Sequence, residues 1–143
     1  MSSNEYVIET TDLSKSYGPH MALENLNLKV KKGATGLLGP NGAGKSTFLK
    51  TILGLIQATS GDGTVLGHDI RTEGAAIRSR IGYMPEYDAL NPDMEAIYQV
   101  KYSGELLGMN PVIAMARAHE VLQYVGLGEQ RYRNIGSFST GMK

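Results

Sequence analysis

Gly39-Pro40-Asn41-Gly42-Ala43-Gly44-Lys45-Ser46, with Thr47 following, fits the pattern G-x-x-x-x-G-K-[ST]. The spacing has a mechanical reason. Glycines let the backbone fold tightly enough for several N–H groups to point at one anion. Lys45 then reaches the β- and γ-phosphates of a nucleotide as a point charge, and the Ser46 hydroxyl is placed to ligate Mg²⁺. A helix beginning near Lys45 aims its positive N-terminal end at the same phosphates.

Chance alone would produce this pattern in a chain of this composition roughly 2% of the time. The flanks fit as well. Thr35-Gly36-Leu37-Leu38 is a short apolar run, predicting a strand buried on both faces. Phe48, Leu49, Ile52, Leu53 and Ile56 recur at helical spacing, and Gly54 suits the position just past a helix end. A dinucleotide-binding G-x-G-x-x-G turn is the nearest rival. It begins at Gly42-Ala43-Gly44, but Thr47 stands at its third glycine.

Residues 5–10 and 26–31 read as strands, the second by its alternation of apolar and polar residues, with a turn over residues 16–19. Gly61-Asp62-Gly63 reads as a tight turn into a strand over 64–66. Residues 72–80 read as helix, and residues 81–84 as a strand stopped by Pro85. From Asp93 the pattern turns helical. Met94, Ile97, Val100, Leu106 and Leu107 form one apolar stripe, expected to pack into the core. Asn110-Pro111 starts a second helix, whose apolar positions Ile113, Ala116, Val121 and Val125 run to Gly126.

Composition narrows the classes. The 143 residues carry 14 basic and 14 acidic side chains, evenly spread between the two halves. No basic stripe exists of the kind nucleic-acid binding needs. There is no cysteine, hence no disulfide and no thiolate metal site. The longest uncharged run, Gly33 to Gly44, is far too short for a membrane span. The 18 glycines are about twice the usual share, and the phosphate loop takes several of them. His20, His68 and His119 show no metal-ligand spacing and read as turn or surface histidines.

GLLGPNGAGKST (36–47), IGYMPE (81–86) and FSTGMK (138–143) together resemble the nucleotide-binding domain of an ABC transporter, over essentially the whole chain. IGYMPE, and YVGL ahead of Tyr132-Arg133, are most similar to ATP-binding subunits of bacterial exporter-type systems. The resemblance implies an α/β P-loop NTPase core with N-terminal antiparallel strands and a helical subdomain. It divides the chain into a nucleotide-binding α/β core (1–85), a helical subdomain (86–137) and the start of the signature motif (138–143).

The resemblance also assigns residues. Tyr17 matches the aromatic that stacks on adenine. Gly39, Asn41, Gly42, Ala43, Gly44, Lys45, Ser46 and Thr47 match the phosphate loop. Glu86 stands where the family usually has Gln, as a second reach toward Mg²⁺ and the attacking water, though a plain surface Glu fits there too. Ser139 and Gly141 match a signature, Leu-Ser-Gly-Gly-Gln, that contacts the γ-phosphate held by the opposite subunit. Thr140 and Met142 depart from it. The implied cofactors are ATP and Mg²⁺. The implied partners are a transmembrane permease subunit and a second nucleotide-binding domain, at the inner, cytoplasmic face of a membrane.

No apolar strand ending in Asp-Glu, the Walker B carboxylates, occurs in the 143 residues, nor does a candidate for the family's switch histidine. The Walker B Asp helps hold Mg²⁺ in phosphoryl transfer. The expectation is therefore an N-terminal piece of a longer ABC ATPase, with an unpaired sheet edge prone to aggregation. The alternative is a non-hydrolysing ATP-binding module that regulates or scaffolds a partner.

Overall fold

The computed structural model describes residues 5–85 and 89–143. They form two compact units, Met1–Tyr83 and Met84–Lys143.

In the first unit, β1 (Tyr6–Tyr17) and β2 (His20–Lys31) form a long antiparallel hairpin, followed by α1 (Lys45–Ile52), β3 (Ser60–Val65), β4 (His68–Asp69) and α2 (Gly74–Arg78). The sheet order is β2-β1-β3-β4, antiparallel throughout. Leu13 and Leu23 from the hairpin, Val65 from β3, Phe48 and Ile52 from α1, and Ile70 and Ile77 make the core. Helix α1 thus buries one stripe, and Gly54 follows its end with φ +62°.

Both hairpin strands run further than alternation alone predicts. The ladder between β1 and β2 breaks register several times, and Asp12 and Asn25 adopt positive φ. Such irregularities scramble the period-two pattern that reveals a strand in sequence. The predicted turn at Gly61-Asp62-Gly63 is instead part of β3. Gly61, at φ +76°, lies so close to the Asp12 carbonyl that a Cβ would collide with it. The glycines there permit strand contact, and the chain reverses at Leu66-Gly67, both at positive φ, with Val65 facing His68.

The strands predicted over 35–38 and 81–84 do not form. A strand buried on both faces needs a hydrogen-bonded neighbour, and among the described residues none pairs with either segment. Leu38 is 94% and Met84 89% exposed.

The second unit is helical. Helix α3 (Ala96–Leu106) lies against α4 (Pro111–Tyr124), and two 3₁₀ turns follow, Glu129–Tyr132 and Ile135–Ser137. Asn110 caps α4, its side-chain oxygen accepting from the Val112 N–H at 2.9 Å with Pro111 at the first position, as the sequence predicts. The buried face of α4 is Ala114, Ala118 and Leu122 rather than the predicted stripe, and Ile113 is exposed. Gly104 explains the choice: a Cβ there would stand 3.3 Å from Ala114 Cβ. The helices approach closely, so small residues occupy the contact. The stripe on α3 is likewise split, with Ile97 buried and Leu106 and Leu107 largely exposed.

Candidate functional site

The segment from Gly39 to Gly44 has no regular secondary structure, and its residues up to Ala43 are exposed. Gly42 and Gly44 both sit at φ +83°. The Ala43 N–H donates to the Pro40 carbonyl at 3.2 Å, closing the loop on itself. Gly44 is the N-cap of α1 in left-handed geometry, and its carbonyl accepts from the Phe48 N–H at 2.8 Å.

Gly44 also shows why the loop stays where it is. A Cβ there would run into the Ala22 carbonyl and stand 3.0 Å from Leu23 Cδ2. Ala22 is the extra residue of a bulge in β2: Lys15 faces Leu23 and Ser16 faces Met21, so the ladder skips it. The start of α1 is therefore seated against the hairpin, and glycine is the residue that lets the two backbones meet.

The first turn of α1 has no acidic residue and no side-chain cap. The N–H groups of Lys45, Ser46 and Thr47 have no acceptor within the helix, and they carry the positive end of its dipole. Lys45 Nζ donates to the carbonyl oxygens of Gly39 at 2.6 Å and Pro40 at 2.7 Å. The Ser46 side chain is exposed. The first-turn side chains and N–H groups thus offer donors, and the Ser46 hydroxyl also has lone pairs for a cation.

Tyr17 ends β1 immediately before the Gly18-Pro19 turn and is 48% exposed. It pairs with His20, two residues along β2 from the bulge that seats Gly44. Ser139 and Gly141 belong to the other unit, and both are exposed. Phe138 anchors that segment by packing with Ala96 and Ile135. Beyond it the N–H groups of Met142 and Lys143 donate to the Ser139 carbonyl, at 3.0 and 3.3 Å, in a single turn. An apolar groove of about 540 Å³ beside Phe138 and Met142 is lined in part by Gly141, and by no residue of the 39–47 loop. Glu86 lies outside the described residues.

Residues 23–143 match the family model of the ABC transporter. The chain belongs to the ABC transporter family. It is 40% identical over 138 residues to the linearmycin resistance ATP-binding protein LnrL of Bacillus subtilis, covering 96% of this chain and 44% of that protein. It is 36% identical to the bacitracin transport ATP-binding protein BcrA of Bacillus licheniformis, with the same two coverages. The chain thus spans less than half the length of these ABC relatives.

Solved ABC structures share the fold. A nucleotide-free ATP-binding cassette from an ABC transporter superposes with TM-score 0.77 at 24% identity, over 95% of this chain and 60% of that one. CbiO1 of Clostridium perfringens, part of an ABC transporter complex, superposes with TM-score 0.79 at 21% identity, over 96% and 57%. The α/β P-loop architecture with an antiparallel sheet expected from the sequence is the one observed. None of the described helices is long and apolar enough to cross a membrane.

Proposed function

We propose that this chain is the ATP-binding part of an ABC transporter ATPase, with Gly39–Thr47 as its phosphate loop. The observation that carries the reading is the convergence on one exposed spot of the Lys45 ammonium, the unpartnered first-turn N–H groups and the Ser46 hydroxyl, with no acid in that turn. This donor set suits a polyanion and little else.

The residues fit Mg²⁺ only as a companion of the nucleotide. Ser46 would give it one oxygen, with Glu86 as the second protein candidate, while phosphates and water complete the shell in the usual manner of this ion. Among the described residues no group of three His, Asp or Glu could hold a metal alone. When bound with ATP, the ion neutralises charge on the phosphoryl group in transfer. Lys45 holds the β- and γ-phosphates, the helix end orients them, and Tyr17 offers its ring to the base.

Ser139 and Gly141 would face the γ-phosphate held by a second nucleotide-binding domain, and a permease in the membrane would receive the resulting motion. The names of the relatives, bacitracin transport and linearmycin resistance, support a transport role for the whole protein, which would act at the inner face of a membrane.

Calorimetric titration with ATP and AMP, with and without Mg²⁺, tests the proposal. ATP should bind far more tightly than AMP, and Lys45→Ala should abolish the difference. Equal affinity for ATP and AMP would overturn it.

A further inference from the structure

Lys15 and Tyr17 are two residues apart on β1, and strand residues spaced by two share a face. The Lys15 ammonium stands over the Tyr17 ring, 5.1 Å from its centroid. Among the described residues no carboxylate lies within ion-pair range of Lys15, and no second ring or cation covers Tyr17. The sheet supplies its own contrast in Tyr6. Lys29 and Lys31 lie over that ring at 5.2 and 5.6 Å, yet each is also ion-paired, Lys29 with Glu9 and Lys31 with Glu5. These ion pairs account for their positions. Nothing of the kind accounts for Lys15, which among the described residues has the Tyr17 ring as its partner.

We propose that Lys15 is a positioning residue for the nucleotide base, holding the Tyr17 ring from one face so that the opposite face is presented for stacking. The inference rests on the base-stacking reading of Tyr17. Its chemistry has two parts. A cation against the π-cloud fixes the ring orientation of a side chain that is otherwise half in solvent. It also draws electron density from the ring, which favours stacking of an electron-rich purine on the far side. The geometry serves one ligand. Tyr17 faces His20, and the bulge at Ala22 that seats the phosphate loop is two residues further along the same strand. By strand dimensions the backbone at Tyr17 lies on the order of 10 Å from the bulge that seats the loop, comparable to the span from base to phosphates within one nucleotide.

The test is a double-mutant cycle read with two probes, ATP and inorganic tripolyphosphate, which has the charge but no base. Lys15→Met should weaken ATP binding about two- to five-fold and leave tripolyphosphate binding unchanged. Lys15→Arg, which keeps the cation over the ring, should restore ATP affinity. In a Tyr17→Ala background Lys15→Met should have no further effect on ATP. The inference is overturned if Lys15→Met weakens both probes equally, because Lys15 would then act as a charge attracting phosphates. It is overturned too if the cycle is additive, or if Tyr17→Ala selectively weakens ATP while Lys15→Met changes nothing. In that last case the base-stacking reading survives. If Tyr17→Ala leaves the ratio of ATP to tripolyphosphate affinity intact, that reading itself fails and Lys15 with it.

Discussion

The ammonium of Lys45 is hydrogen-bonded at 2.6 Å to the carbonyl oxygen of Gly39, the residue that opens its own phosphate loop. A second bond, to the Pro40 carbonyl at 2.7 Å, holds it in the same place. The lysine therefore occupies the mouth of the loop, satisfied by weak neutral acceptors. A phosphate offers stronger, charged ones. Binding would exchange these carbonyls for phosphate oxygens and free the loop's backbone to adjust.

Lys45→Ala should consequently cost nucleotide affinity and little stability. The pair of bonds is exposed to solvent, so unfolding free energy should change by less than about 1 kcal/mol. ATP affinity should fall at least tenfold, corresponding to about 1.4 kcal/mol or more. Lys45→Arg should not restore it, because a planar fork does not replace a compact point charge in a tight loop. Denaturant unfolding and ATP titration of both variants measure the two quantities; a large stability loss with intact binding would contradict the assignment.

Gly42 and Gly44 share the same φ, +83°, but differ in surroundings. A Cβ on Gly42 meets nothing within 4 Å, whereas one on Gly44 meets the Ala22 carbonyl and Leu23. Gly42→Ala should therefore lose only the left-handed conformational cost of about 1–2 kcal/mol. Gly44→Ala should lose that and more, since the loop must also part from the hairpin. Chemical denaturation of the pair settles the order, and equal losses would show that the contact with Ala22 contributes nothing.

The proposed phosphate loop is marked in sequence because its chemistry demands particular residues at fixed spacing. The helix after it was legible because Phe48 and Ile52 carry the period themselves. Residues 35–38 and 81–84 depart from the strand expectation for one reason: apolar composition announces a strand's preference for burial, while its existence depends on a hydrogen-bonded partner. Tyr17 is proposed from resemblance, since a lone turn tyrosine carries no spacing signal of its own. Its neighbour Lys15 was missed, although two residues of separation on a strand was the available signal.

Helix α4 offers a direct check on the other misreading. Its large aliphatics suggested the buried face, yet Ala118 is 0% exposed and Ile113 62%. Ala118→Leu should overpack the contact with α3 and destabilise by about 1–3 kcal/mol. Ile113→Ala should stay within about 0.5 kcal/mol. The reverse order in thermal unfolding would restore the stripe read from sequence.

Acid should loosen the turn that joins β4 to α2. The carboxylate of Asp69 accepts from the Thr72 N–H at 2.9 Å and the Arg71 N–H at 2.7 Å, and from the Thr72 hydroxyl at 3.0 Å. These bonds, the Thr72 amide foremost, hold its carboxyl below the ordinary value. Glu73 is held low chiefly by the His68 ring at 2.9 Å, then by the Asp69 N–H at 2.8 Å. Both groups bind protons more weakly folded than unfolded, so their stabilisation is complete above the unfolded carboxylate values, about pH 4. It is lost as pH falls through the lower folded values. Melting temperature should therefore decline steeply below roughly pH 4. In Asp69→Asn combined with Glu73→Gln the decline should be shallower, from a lower starting point at neutral pH. Because both carboxylates are open to solvent, added salt should shrink the difference between the two proteins. Parallel acid profiles for wild type and the double variant would mean that the sensitivity lies in other carboxylates.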